Sequence, residues 1–128
     1  MKLDEFRIAY LDPLKLGPEY DLYGFKPAGV LAFTDTATAS AISILVMRAA
    51  KKHGEMSRKR CHNAWRSDHL WQLTTDDGAR FLYFQDGPRT LIFVSATYKM
   101  KEKEFYNEIK RAERLRLEYL QIKEGKVR

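Results

Sequence analysis

At 128 residues, 45% of them hydrophobic, the chain has the length of one domain and enough apolar material for a core without covalent staples. A single cysteine, Cys61, excludes an intramolecular disulfide, so a disulfide-built secreted scaffold is ruled out and a reducing cytoplasm is expected. The net charge of +6 is uneven: residues 1 to 45 carry 4 basic and 6 acidic side chains, residues 46 to 128 carry 19 and 11, and such a concentration suits a polyanionic partner.

The longest apolar run, Ala41 to Met47 broken by Ser43, falls far short of the roughly 20 residues that span a bilayer. The opening MKLDEFR lacks the apolar stretch of a signal peptide, so a soluble, untargeted protein is expected.

Residues 1 to 28 are punctuated by Pro13, Gly17, Pro18, Gly24 and Pro27, which predicts an N-terminal arm with one or two short strands and no helix longer than a turn. Val30 to Phe33 (VLAF) predicts a strand. Thr34 to Thr36 then offer capping oxygens, and Ala39, Ile42, Val46 and Ala49 recur at helical spacing, predicting a helix from about Asp35 to His53 closed by Gly54. A shorter helix is predicted from Ser57 through Arg66, with Cys61, Ala64 and Trp65 as its apolar side.

Leu70 to Leu73, Arg80 to Phe84 and Leu91 to Tyr98 predict three strands, joined by turns at Asp76-Asp77-Gly78 and at Asp86-Gly87-Pro88-Arg89. Both faces of FLYF are apolar, as in a central strand covered on each side, and strict alternation sets Arg80 on the face of Leu82 and Phe84. The same alternation sets Tyr98 with Ile92, Val94 and Ala96. In the final helix Phe105, Ile109, Ala112, Leu115, Tyr119 and Ile122 form a buried stripe. Lys110, Arg111 and Arg114 lie off it, on a face read as solvated and partly neutralised by the pairs Glu108–Arg111 and Glu113–Arg116.

From Leu70 to Leu120 the chain resembles the RelE/HigB superfamily of small toxins, in particular its phage-derived HigB-like branch. The residues that carry this are LWQL before a turn, then RFLYF-QDG-RTLIFV, then Tyr98, Lys99 and Lys103 in a Y-K-x-x-x-K stretch, then EIKRAERLRLEYL with Glu108, Ala112, Arg114 and Glu118. The likeness is good over about the last 55 residues and looser over Val30 to Gly54, where the family opens with a strand and a helix. It departs from the branch at Thr97, at Met100 and at Glu104-Phe105. His53, His62 and His69 all precede the last strand, so a histidine-based mechanism is not expected.

The resemblance implies an α+β fold of RelE-like type: a small, mainly antiparallel sheet with N-terminal helices on one face and a C-terminal helix. Residues 29–122 would form that domain, 1–28 an N-terminal extension and 123–128 a tail. It implies a cytoplasmic, metal-independent endoribonuclease that cleaves mRNA, generally on the ribosome, needs no cofactor, and is held inactive by a cognate antitoxin of helix-turn-helix type. Attack of a ribose 2′-OH on the adjacent phosphate needs a proton acceptor, a donor for the leaving oxygen and fixed cations. Lys99 and Lys103 are the candidates for gripping the phosphate, Arg80 for the transition-state cation and Tyr98 for the proton shuttle. Lys101, Arg66 and His69 are candidate RNA contacts, and Trp65 and Trp71 are weighed between base stacking and core.

Each has a plainer alternative: a solubilising lysine loop, an ion pair of Arg80 with Asp76 or Asp77, and core packing for Tyr98. Two other functions fit the same sequence, a non-catalytic nucleic-acid-binding or phage accessory protein of this fold, and an interaction module whose N-terminal arm binds a host factor.

Overall fold

A computed structural model of the chain describes residues 2–16, 20–33, 61–75, 78–98 and 100–125. The elements in order are α1 (Leu3–Tyr10), β1 (Leu11–Leu16), β2 (Asp21–Phe25), a 3-10 turn (Lys26–Ala28), α2 (Val30–Phe33), β3 (Cys61–Asn63), β4 (Trp71–Thr74), β5 (Ala79–Gln85), β6 (Thr90–Tyr98) and α3 (Glu102–Lys123). Among the described residues the strands form one six-stranded sheet in the order β1-β2-β6-β5-β4-β3. Of these described pairs, β2 and β6 run parallel and the other neighbours are antiparallel. The class is therefore α+β with a mainly antiparallel sheet.

Apolar side chains cover both faces of the sheet. Leu82 and Phe84 of β5 and Ile92 and Val94 of β6 face α3, which contributes Phe105, Ile109, Ala112 and Tyr119. Phe81 and Tyr83, with Leu22, Leu91 and Phe93, form a second buried layer on the opposite face. Thus β5 is a central strand buried on both sides. The predicted helical stripe is the one α3 buries, with Leu115 and Ile122 partly covered at its margin.

The N-terminal region differs from its expected form. The described part of residues 1–28 is built into the sheet rather than standing apart as an extension: β2 lies between β1 and β6, and Leu22 and Phe25 are fully buried. Nor is the arm without a helix, because α1 makes two turns. Asp4 and Glu5 suit its positive end, and its one buried residue, Phe6, meets Tyr119 of α3 edge-on at 5.3 Å. Helices this short owe their stability to such tertiary contacts more than to propensity. Lys26 closes the element by donating to the Ile8 carbonyl.

VLAF is helical, and the strand expected there is Asp21–Phe25 instead. Gly29 adopts a left-handed φ of 67°, which turns the chain so that Val30 packs directly on β2. A Cβ on Gly24 would lie 3.0 Å from the Val30 Cβ, so the close approach depends on that glycine. Of the two short described helices, α1 lies on the α3 face and α2 on the other; neither is one of the two helices expected together on one face, Asp35–His53 and Ser57–Arg66.

The helix predicted from Ser57 through Arg66 is also replaced over its described part. Cys61–Asn63 pair antiparallel with β4, and Arg66 has a left-handed φ of 57° that no helix accommodates. The predicted Asp35–His53 helix and the Asp76-Asp77 turn lie outside the described residues. At the other end, helical structure runs through Lys123, whose ammonium bonds Asp86, so the expected tail does not begin there.

Candidate nucleic-acid interface

The hairpin loop between β3 and β4 is fixed by a buried serine. Ser67 accepts the backbone N–H groups of Leu70 at 3.1 Å and His69 at 3.4 Å, and its hydroxyl donates to Glu113 of α3. The Ala64 N–H closes the loop on the Leu70 carbonyl at 2.9 Å. Loop and helix are thereby tied together. With Ala64, Ser67 and Leu70 turned inward, Trp65, Arg66, Asp68 and His69 are left exposed.

These exposed groups are ordered among themselves. The Arg66 guanidinium lies 4.5 Å from the centre of the Trp65 ring. Trp65 meets Tyr106 of α3 edge-on at 4.7 Å, and the Lys110 ammonium, one helical turn further on, lies 4.4 Å from the centre of the Tyr106 ring. The result is a surface row of cation, indole, phenol and cation. Left-handed backbone at a residue other than glycine costs on the order of 1 kcal/mol, so Arg66 is carried at an expense that a glycine there would remove.

Arg80 stands nearby in the sequence of contacts around the start of α3. Its guanidinium lies 4.8 Å from the centre of the Phe105 ring, beside Tyr106 in the chain. It pairs with Thr97 on β6, on the face that α3 covers, as alternation predicts. Lys101 and Lys103 are exposed at the amino end of the same helix. Arg66, Arg80, Lys101, Lys103 and Lys110 make no ion pair among the described residues, whereas Arg89, Arg111 and Lys123 are bound to Asp21, Glu108 and Asp86.

Tyr98 is not where alternation sets it. The β5–β6 pairing passes from Leu82↔Ser95 to Tyr83↔Phe93, so Val94 is an extra residue in β6. Val94 and Ser95 consequently both face α3, and every later side chain changes face. Ala96 packs in the opposite layer, and Tyr98, opposite Ala79, shares that side at 60% exposure. Arg80 and Tyr98 therefore lie on opposite faces and do not converge. Lys99 is outside the described residues, as are Asp76 and Asp77, the acids weighed as partners of Arg80.

The bulge also creates a contact that the sequence reading missed. Ser95, fully buried, donates to Glu108 Oε1 at 2.7 Å, and Arg111 donates through Nε to both Glu108 oxygens at 3.1 and 3.2 Å. Burial acts to raise the Glu108 pKa, but the Arg111 and Ser95 hydrogen bonds and the Arg111 charge outweigh it and hold the carboxyl below its ordinary range. Glu108–Arg111 is thus a clamp between helix and sheet rather than a solvated pair. Glu113 is engaged by Ser67, and Arg116 lies 5.8 Å from the centre of the Phe84 ring.

Of the expected RNA contacts, Arg66 belongs to the surface row, His69 lies in the same loop, and Lys101 precedes the start of α3, where the phosphate-gripping candidate Lys103 also stands. Trp65 is on the surface, and Trp71, 36% exposed, pairs with Tyr83 on the far face. Tyr106 is absent from the sequence expectation and Lys110 is there only as part of a solvated face, although their i, i+4 spacing beside the buried stripe is visible in the sequence. Among the described residues no group of three or more His, Cys, Asp or Glu is arranged to hold a metal ion, and no helix is long and apolar enough to cross a membrane. Comparison with protein-family models, with curated proteins and with solved structures found no match.

Proposed function

We propose that the chain is an RNA-binding endoribonuclease of the toxin type, cleaving mRNA by metal-independent attack of a 2′-OH, in the manner of the RelE/HigB proteins that its C-terminal half resembles. The observation that carries the reading is a set of cations, Arg66, Arg80, Lys101, Lys103 and Lys110, that make no ion pair among the described residues: Arg66 and Lys110 border the rings of Trp65 and Tyr106, Arg80 lies over the buried Phe105 ring, and Lys101 and Lys103 are exposed at the start of α3. An RNA strand suits both halves of that surface, its phosphates through the cations and its bases through the rings. Arg80, held on a strand buried on both faces, is the cation best placed to stabilise the extra charge of the transition state. Lys103 provides a second phosphate contact. The proposed partners are mRNA on the ribosome and an antitoxin that covers the same cations with an acidic or helical segment.

Labelled mRNA incubated with the protein, with and without excess EDTA, tests the reaction. Cleavage should persist in chelator and leave 5′-hydroxyl ends with cyclic or 3′-phosphates, because the nucleophile is internal to the RNA. Cleavage that stops in EDTA, or that leaves 5′-phosphates, overturns the mechanism. The separation of Tyr98 from Arg80 favours a second reading, an RNA-binding protein without catalysis. Retention of RNA on the protein with no cleavage by purified ribosome-bound complexes would establish that one.

A further inference from the structure

Within the RNA-binding reading, on which this inference rests, we propose that Trp65, Arg66, Tyr106 and Lys110 form a site for an unpaired nucleobase of single-stranded RNA, separate from Arg80. The base stacks on the Trp65–Arg66 pair, and Lys110 meets a neighbouring phosphate. Three observations converge on it. Trp65 is 52% exposed yet fixed in place, by its T-shaped contact with Tyr106 and by a loop locked to α3 through Ser67 and Glu113. A rigid, half-exposed indole loses little freedom on accepting a flat ligand. Cations border the rings at both ends of the row, so the surface complements a ligand that alternates π-faces with negative charge.

The third observation is Arg66 itself. An arginine here carries backbone strain that a glycine would relieve, and its exposed side chain lies over the Trp65 ring. Paired RNA hides its base faces inside the helix and offers this row only phosphates. An unpaired strand offers both, which makes the site selective for single-stranded segments.

Binding measured by tryptophan fluorescence and by filter retention, on a Trp71→Phe background so that Trp65 is the reporter, tests the site. The ligands are a single-stranded oligouridylate, an RNA hairpin stem of equal charge, and inorganic polyphosphate. The single strand should quench Trp65 and the stem and polyphosphate should not. Trp65→Ala, in the otherwise native chain, should weaken single-strand binding about tenfold, the loss of one stacked base, while leaving polyphosphate binding unchanged. Arg66→Gly should weaken single-strand binding while the melting temperature stays equal or rises.

If the single strand binds and Arg80→Ala weakens it but Trp65→Ala does not, the base site is wrong and the RNA-binding reading stands. Failure of the wild-type chain to bind any of the RNAs overturns both. Equal loss of polyphosphate and single-strand binding in Trp65→Ala also overturns the base site, because it would reduce Trp65 to a support for neighbouring charge.

Discussion

The two halves of α3 use the same residue types for opposite purposes. In the second half Tyr119 is buried, ringed edge-on by Phe6, Phe25 and Phe84 at 5.3 to 5.5 Å, and donates at 2.6 Å to Asp86, which Lys123 also binds. Tyrosine, carboxylate and lysine there satisfy one another, and together they pin the helix to the β5–β6 turn. In the first half Tyr106 and Lys110 also form a tyrosine–lysine contact, but it faces outward, and no carboxylate neutralises the lysine among the described residues. What separates scaffold from candidate site is whether the fold itself supplies the counter-charge.

The largest expected effect tests the scaffold half. Tyr119→Ala should cost about 3–5 kcal/mol, as loss of a buried aromatic side chain does, whereas Lys110→Ala should stay within about 0.5 kcal/mol of wild type. Urea unfolding of both variants measures this. Similar losses for the two would erase the distinction between the halves.

Next in size is the effect of Arg80. Arg80→Ala should lower RNA cleavage at least about tenfold, on the order of 1.4 kcal/mol of transition-state stabilisation. Its contact with Phe105 contributes only roughly 0.5–1 kcal/mol to folding, so the melting temperature should move little. A variant that cleaves normally but melts early would make Arg80 a cover for the core rather than part of a site.

The Glu108 clamp lies between the two halves and gives a smaller, pH-dependent effect. Because folding holds its carboxyl below the ordinary value of 4.5, its contribution is complete above that pH and is lost as the pH falls through the depressed folded-state value. Glu108→Gln should therefore be less stable than wild type by about 1 kcal/mol at neutral pH, and the difference should close in acid. Parallel stability curves down to pH 3 would show that the clamp carries no charge-dependent energy.

Legibility in the sequence followed the length of each pattern. The α3 stripe and the strands Ala79–Gln85 and Thr90–Tyr98 were readable because their apolar residues repeat over many positions, at helical or alternating period, and the shorter Trp71–Thr74 because a turn signature follows it in the sequence. Val30 to Phe33 offers four apolar residues in a row, which suit a strand or a helical turn equally. The choice was made by Gly29 and by the contact over Gly24, both set by tertiary structure. Cys61, Ala64 and Trp65 have helical spacing, but pairing with β4 took precedence over it. In the candidate site, the side of Arg80 was legible because β5 alternates without interruption up to it. The surface row was not, because Trp65 and Tyr106 are 41 positions apart in the chain and tertiary contacts, the Ser67–Glu113 bond and the packing of Ala64 and Leu70 with α3, bring their elements together.

The smallest expected effect is the most discriminating, and it concerns Tyr98. Alternation from Ile92 would carry its hydroxyl to the side of Arg80, where it could shuttle the proton, but the extra residue at Val94 turns it to the opposite face. At 60% exposure Tyr98 also contributes little to the core. Tyr98→Phe should therefore cleave RNA at the wild-type rate, within about twofold, across pH 6 to 9, and melt within a degree or two of wild type. A general acid or base typically contributes 10²–10⁴-fold, so the comparison leaves a wide margin. A hundredfold loss in Tyr98→Phe, with folding intact, would mean that the end of β6 rearranges when RNA binds and that the two faces of the sheet meet around the scissile phosphate.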